Sequence, residues 1–125
     1  MPDIFEDIIL HEIRYVYDGD TFKVDIPGYP PLLGKGILVR VWGIDAPRIR
    51  RFRCLEERLR GRMAKNLLEK LLVNATEIEL RHPQRDKYFR ILAEIFVDGQ
   101  SVQDLMIASG LAVEYMGKTK QGWCS

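Results

Sequence analysis

Residues 37–47 read ILVRVWGIDAP, and this stretch indicates both the fold and the candidate site. Its first eight residues are rich in branched apolar side chains and predict a strand. Arg40 in mid-strand either faces solvent, which is the commoner case, or points toward a bound anion. The offset of five between Arg40 and Asp45 puts them on opposite faces of a regular strand. They therefore share one site only if Gly43 bulges or ends the strand.

Periodicity on either side of this stretch predicts the remaining elements. Residues 8–17 and 22–26 predict two strands around a tight turn, and Pro and Gly residues between 27 and 36 predict a loop. From Leu55, apolar residues at 55, 59, 63, 67 and 71, joined by 64, 68 and 72, predict a long helix with one apolar face that ends near Asn74. Residues 76–80 and 90–97 predict strands, and 101–109 a short helix ended by Gly110. This order predicts a small, curled antiparallel sheet, as in an oligonucleotide-binding barrel.

The size and composition of the chain predict one globular domain, residues 1–125. Hydrophobic residues make up 46% of the 125 and charged residues 30%, which excludes a disordered or fibrous protein. Without an apolar run of roughly 20 residues, no membrane span is expected. Acids occupy the place where a signal peptide has basic residues, so a cytoplasmic location is expected as written, and a periplasmic or secreted one if a leader was removed. Two cysteines are too few for a disulfide framework or a zinc site.

Charge is distributed unevenly along the chain. Residues 48–70 contain nine basic and three acidic side chains, a net charge of +6, whereas the rest of the chain carries −5. Such a segment suits a polyanionic partner. A solvated helix face is the alternative, and charge alone favours it.

Two carboxylates flank the predicted sheet in a way that suggests a cation site. The turn Asp18-Gly19-Asp20 is explained in part by the positive φ that Asp and Gly tolerate, which accounts for its first two residues but less well for Asp20. Asp45 follows the third strand. Carboxylates from separate strand ends are the hard oxygen ligands that calcium or magnesium prefers, although two acids alone are weak support.

Five short motifs follow one another along the chain: DGDT at 18–21, VRVWGIDAP at 39–47, DKYFR at 86–90, DG at 98–99 and GLA at 110–112. They resemble the staphylococcal nuclease (thermonuclease) family, and the resemblance runs from about residue 15 to residue 115. It implies a β-rich α+β fold: a five-stranded OB-fold barrel with a long helix between the third and fourth strands and a short C-terminal helix. It also implies calcium-dependent hydrolysis of phosphodiester bonds in DNA and RNA.

The same resemblance assigns a catalytic centre by position. Asp20 and Asp45 look like the calcium carboxylates, and Ala46 occupies a position that contributes only its backbone carbonyl, so its side chain is not expected to matter. Arg40 and Arg90 look like the arginines that hold the phosphate and stabilise the charge of the transition state.

Further positions resemble nucleotide contacts. Lys87 and Tyr88 look like residues that contact a terminal phosphate, whereas Phe89 stands where the staphylococcal enzyme has glycine and concerns only the turn. Tyr115 lies near a position where the family stacks a base, and ordinary packing explains it equally well. Relatives that end in Trp-Cys also imply a bridge between Cys54 and Cys124, which a cytoplasmic location would keep reduced.

The chain departs from the family at Arg48, where the family usually has the glutamate that orients or deprotonates the attacking water. A cation cannot accept that proton and repels calcium. We therefore expect a nuclease of reduced activity, in which Glu56 or Glu57 replaces the missing base or water attacks unaided. The protein is expected to be a monomer and to prefer single strands of DNA or RNA. The alternatives are an inactive nucleic-acid-binding module of the same fold and, less favoured, a protein-interaction domain.

Overall fold

The computed structural model of the chain describes residues 6–115 and 122–124, and within them it contains nine strands and three helices. The strands are β1 (Ile8–Leu10), β2 (Tyr15–Asp18), β3 (Thr21–Val24), β4 (Ile37–Val41), β5 (Ile44–Asp45), β6 (Ile78–Arg85), β7 (Ile91–Val97), β8 (Gln100–Ser101) and β9 (Val113–Glu114). The helices are α1 (Pro31–Gly34), α2 (Leu55–Val73) and α3 (Val102–Ala108).

The main sheet curls back on itself. Its strand order is β1-β6-β7-β4-β3-β2, so the two strands at the ends of the sheet are joined by only the four residues between Leu10 and Tyr15. That link spans at most roughly 18 Å, whereas six strands in a flat sheet extend across about 24 Å. The predicted first strand, residues 8–17, is thus one bent strand in two segments, and the fold is the predicted OB-fold of the α+β class.

The sheet is mixed, and the prediction of a purely antiparallel sheet was wrong. β4 and β7 pair in parallel, with Val39 opposite Ile91 and Arg40 opposite Leu92. The long helix α2 lies between these two strands in the chain and supplies the crossover that a parallel pair requires. Periodicity located α2 and α3 but missed four features: the one-turn helix α1, the short pair β5–β9, the two-residue strand β8, and the extension of β6 to Arg85.

Helix α2 faces the core with only part of the apolar side that the sequence predicts. Leu55, Leu59 and Met63 are more than half exposed, although the apolar periodicity begins with them. The predicted Ala64, Leu68 and Leu72 are buried, together with Glu57 and Gly61, which lie outside the apolar pattern. Two of these five residues, Gly61 and Ala64, are small, and they let the helix approach its neighbours closely. Among the described residues, no helix is long and apolar enough to cross a membrane.

Gly19 is one point of this close approach. Its φ is not positive, contrary to the turn argument. A Cβ at this position would lie 2.6 Å from the Cβ of Ala64 and 2.7 Å from the Cβ of Ala46. The glycine is therefore required by packing between α2 and the candidate site. Ala46 is itself buried, so its small side chain does matter, in contrast to the expectation that only its carbonyl counts.

Cys54 and Cys124 form a disulfide, with 6.1 Å between their Cα atoms. Cys54 is also the N-cap of α2, where its Sγ accepts a hydrogen bond from the backbone N–H of Glu57. The bridge ties the C-terminal residues, including the buried Trp123, to the beginning of the helix.

Candidate active site

The strand that carries Arg40 ends at Val41, two residues before Gly43. With a φ of +86°, Gly43 turns the chain between β4 and β5, a conformation that favours glycine. The Arg40 guanidinium consequently reaches forward along the chain, and its Nη2 donates to the carbonyl of Ile44 at 3.2 Å. The turn thus brings Arg40 beside β5, which ends at Asp45, as the sequence required for a shared site.

Asp20 is the centre of the polar contacts in this region. It is buried, and its Oδ2 lies 3.1 Å from Arg40 Nη1 and accepts a hydrogen bond from the backbone N–H of Ala46. Its Oδ1 accepts from the hydroxyl of Thr21. The register of β3 with β4 places Thr21 directly opposite Arg40, which explains why the carboxylate and the guanidinium meet.

Arg40 retains hydrogen-bonding capacity despite these contacts. Its Nη1 is buried, and among the described residues it finds no acceptor in hydrogen-bond alignment, although Asp20 is close. A buried donor without an aligned acceptor is costly unless a ligand completes it. An anion arriving from outside the sheet would meet the part of the Arg40 side chain that remains exposed, 16% of its surface.

The carboxylates fit a hard cation chemically, although they do not form a complete cage. Asp20 and Asp45 are both buried, and the Oδ1 of Asp18 accepts a hydrogen bond from the backbone N–H of Asp20. Burial and the negative charge of Asp20 raise the pKa of Asp18 to about 7. Crowded carboxylates of this kind favour a divalent cation with oxygen ligands. Within residues 6–115 and 122–124, no group of three or more His, Cys, Asp or Glu side chains has metal-site geometry, so such an ion would depend on water for much of its coordination.

Arg90 is oriented by the turn that precedes β7. Asp86 accepts hydrogen bonds from the backbone N–H and the Nε of Arg90, at 2.9 and 2.8 Å. Burial opposes the charge of Asp86, but the hydrogen bonds from Arg90 outweigh it and hold its pKa below the usual value. Lys87 and Tyr88 lie exposed on this turn, with the Arg90 guanidinium 5.3 Å from the Tyr88 ring centre. Phe89 ends the turn with a φ of +66°, where glycine is the unstrained residue.

Glu57 holds the loop that contains Arg48. Its carboxylate is completely buried and accepts hydrogen bonds from the backbone N–H groups of Arg48 and Arg53, at 3.3 and 2.8 Å. The Arg53 side chain adds two more, at 3.1 and 2.9 Å. The side-chain bonds from Arg53 lower the pKa of Glu57 to about 2, although burial opposes this shift. Such a weak base, whose two oxygens already accept four hydrogen bonds, is a poor candidate for the replacement base that the sequence suggested.

A second contact fixes the same loop. A Cβ at Gly61 would lie 2.9 Å from the backbone carbon of Arg48, so α2 needs glycine where the loop crosses it. The Arg48 side chain itself is exposed. It lines an open cavity of about 490 Å³ whose wall is strongly cationic. The lining residues are Tyr17, Asp18, Arg48, Ile49, Arg50, Arg51 and Arg90.

A second, smaller cavity of about 270 Å³ is lined in part by Arg40. The short β5–β9 ladder and a 2.8 Å hydrogen bond from Tyr115 N–H to the Gly43 carbonyl bring Tyr115 to this place. Trp42 is nearly half exposed there, and Leu92 forms part of the wall. The cavity thus combines two aromatic rings, an apolar wall and a guanidinium, which is the composition of a base-stacking site.

The sequence predicted that Asp20, Asp45 and Arg40 lie in one region, but it did not identify the residues that contact or orient the site. Trp42 had a usable signal, because it shares a strand face with Arg40 two residues earlier. Asp86 had one as well, since an acid four residues before Arg90 across a turn can reach it. The clamping role of Glu57 had no signal, because it depends on the backbone of a loop nine residues earlier in the chain.

Comparison with known proteins agrees with the family that the sequence motifs resemble. The family model described as staphylococcal nuclease homologue matches residues 38–122. Endonuclease YncB and the SPbeta prophage-derived endonuclease YokF, both from Bacillus subtilis (strain 168), are each 35% identical over 99 residues, or 76% of this chain. The chain spans only 43% and 30% of their lengths. A protein of Escherichia coli named "Uncharacterized endonuclease" is 30% identical over 115 residues, covering 91% of this chain and 65% of that protein.

Proposed function

The chain belongs to the staphylococcal nuclease family, and on that premise we propose that it is a calcium-dependent nuclease that hydrolyses phosphodiester bonds of single-stranded DNA or RNA. The observation that carries the proposal is the buried Arg40 guanidinium, held beside Asp20 with a donor still lacking an aligned acceptor. The family relatives named endonuclease support the same chemistry.

In this proposal the two arginines act on the phosphate. Arg40 donates to one of its oxygens from the sheet surface, and Arg90, oriented by Asp86, donates from the neighbouring strand end. The parallel register of β4 with β7 supports a shared ligand. It places Arg40 opposite Leu92, and Arg90 comes directly before Ile91, the first residue of β7. Fixed guanidinium groups stabilise the negative charge that develops in phosphoryl transfer. Lys87 and Tyr88 are proposed to contact a neighbouring phosphate from the exposed turn.

Asp20 and Asp45 are the residues we propose as calcium ligands, together with the backbone carbonyl of Ala46. When bound, the ion supplies Lewis-acid stabilisation of the phosphate oxygens. Asp20 would then have two tasks, since it also holds Arg40 in position. Two carboxylates beside an arginine give weaker binding than a dedicated calcium loop.

The preference for single strands rests on the cavity beside Arg40. Trp42 and Tyr115 are proposed to stack an unpaired base there, which a base inside a duplex cannot do without leaving its helix. The disulfide supports the periplasmic or secreted alternative for location, since such bridges persist in oxidising compartments.

A second candidate function is a nucleic-acid-binding module without turnover. Arg48 favours it, because a cation replaces the family's base, and Glu57 is fully engaged in holding the loop. Both functions predict binding, whereas only the first predicts cleavage.

The deciding experiment is a cleavage assay on single-stranded DNA and RNA, with calcium and with chelator, beside a binding measurement in chelator. Calcium-dependent cleavage that is lost in Arg40→Lys supports the nuclease. Binding without cleavage at any calcium concentration supports the second function, and absence of both overturns the two together.

A further inference from the structure

Two tyrosines lie side by side on the outer surface of β2. Tyr15 and Tyr17 alternate with the buried Val16, and their ring centres are 4.2 Å apart with an interplanar angle of 37°. Tyr15 is 44% exposed, so the pair is not part of the core. Aromatic rings presented in this way offer a surface on which planar groups can stack.

Cations surround the pair. Lys23, which lies directly opposite Tyr15 on β3, has its Nζ 5.6 Å from the centre of the Tyr17 ring. Interaction with Tyr15 and Lys23 lowers the pKa of Tyr17, and the positive charge of Arg50 contributes to the same shift. The tyrosines are thus embedded in a positive region, which complements a polyanion with planar bases.

The pair is continuous with the proposed cleavage site. Tyr17 lines the same cavity as Arg48 and Arg90. Strand pairing connects β2 to the strand of Arg40. Asp18 lies opposite Thr21 on β3, and Thr21 lies opposite Arg40 on β4. Two strand spacings, about 10 Å, therefore separate the tyrosine strand from the strand of Arg40.

We infer that Tyr15, Tyr17 and Lys23, with Arg50, form a binding track for the part of a single-stranded nucleic acid that extends from the cleavage cavity across β2. This inference rests on the proposed function, because it names a further part of the same substrate. An unpaired base stacks on the exposed face of the tyrosine pair, and Lys23 and Arg50 neutralise the phosphates on either side of it. A duplex gains nothing from the rings, since its base faces are already stacked on one another.

The test measures binding of fluorescein-labelled oligothymidylates of increasing length, in chelator so that no cleavage occurs. We expect affinity to rise with length until the strand reaches the tyrosines. Tyr15→Ala and Tyr17→Ala should each weaken binding of the long oligomers by roughly 5- to 150-fold and leave the shortest unaffected. Tyr15→Phe and Tyr17→Phe keep the rings and should stay within about twofold of the wild type.

Charge is tested separately. Lys23→Gln should reduce the slope of log affinity against log salt by about 0.7 for the long oligomers. Lys35→Gln, an exposed lysine on the loop after α1, is the matched control and should leave that slope unchanged.

The outcomes separate this inference from the proposed function. If the alanine variants bind every length as the wild type does, the track is wrong while the nuclease proposal stands. If the phenylalanine variants lose as much affinity as the alanine variants, stacking is not the source of binding, and the inference is also wrong. If wild-type protein binds no oligomer and cleaves none, the proposed function fails and the track fails with it.

Discussion

The carboxylate of Glu57 accepts a hydrogen bond from the backbone N–H of Arg48, although nine residues separate them in the chain. A buried acid on helix α2 thus holds the loop that carries Arg48, which the family resemblance aligns with the catalytic glutamate. The charge of Glu57 serves the geometry of the loop rather than proton transfer, since its low pKa makes it a poor acceptor.

Removing the negative charge of Glu57 should destabilise the protein. We expect Glu57→Gln to lower the free energy of unfolding by about 2–4 kcal/mol, because it leaves Arg53 and two backbone N–H groups with weaker acceptors. Urea denaturation at neutral pH measures the change. Glu56→Gln is the neighbouring control on the same helix turn, and an equal loss there would show that the effect is not specific to the buried carboxylate.

The lowered pKa of Glu57 also predicts part of the loss of folding stability at low pH. The pKa of Glu57 is lowered to about 2 from an ordinary 4.5, so its contribution is complete above pH 4.5 and is lost as the pH falls toward 2. After allowance for the exposure of Arg53, that contribution is about 2–3 kcal/mol. Denaturation curves between pH 6 and pH 2 should therefore show a smaller loss of stability in Glu57→Gln than in the wild type. Parallel curves would contradict the assignment.

Gly19 tests the packing of α2 against the candidate site. Gly19→Ala should cost about 1–3 kcal/mol, because the new methyl group would overlap the side chains of Ala64 and Ala46. Gly122→Ala, where a Cβ meets nothing within 4 Å, should change stability by less than about 0.5 kcal/mol. Thermal unfolding of both variants makes the comparison, and equal behaviour would refute the packing argument.

Sequence patterns located the fold and much of the site because both depend on local signals. Alternation revealed β3 and β4, and Gly43 was recognised as the residue that decides whether Arg40 and Asp45 meet. The buried side of α2 was predicted only in part. Ala64, Leu68 and Leu72 were recognised, whereas Gly61 was not, because glycine carries no hydrophobic signal. Tyr115 could not be placed because the two-residue ladder that brings it to Gly43 joins segments about 70 residues apart.

Calcium affinity should be weak and should depend on Asp20. Asp20→Ala is expected to abolish binding, because it removes one of two proposed carboxylate ligands. Isothermal calorimetry with calcium alone gives the answer, independently of cleavage. Asp25→Ala removes an exposed carboxylate directly after β3 and should leave the affinity unchanged. Equal affinity in the wild type and Asp20→Ala would overturn the ligand assignment.

The last prediction concerns Arg48, whose position the family usually fills with a general base. Arg48→Glu should raise calcium-dependent cleavage of single-stranded DNA by about 10²- to 10⁴-fold, because it supplies the missing proton acceptor. It should at the same time weaken binding, since the cationic cavity loses a positive charge and gains a negative one. Arg50→Glu changes the charge of the same cavity equally and should weaken binding without raising the rate. Opposite effects on rate and affinity in Arg48→Glu, beside loss of affinity alone in Arg50→Glu, separate base catalysis from electrostatics. If wild-type protein cleaves rapidly and Arg48→Glu leaves that rate unchanged or lower, another group orients the water, and Glu56→Gln is the next variant to assay.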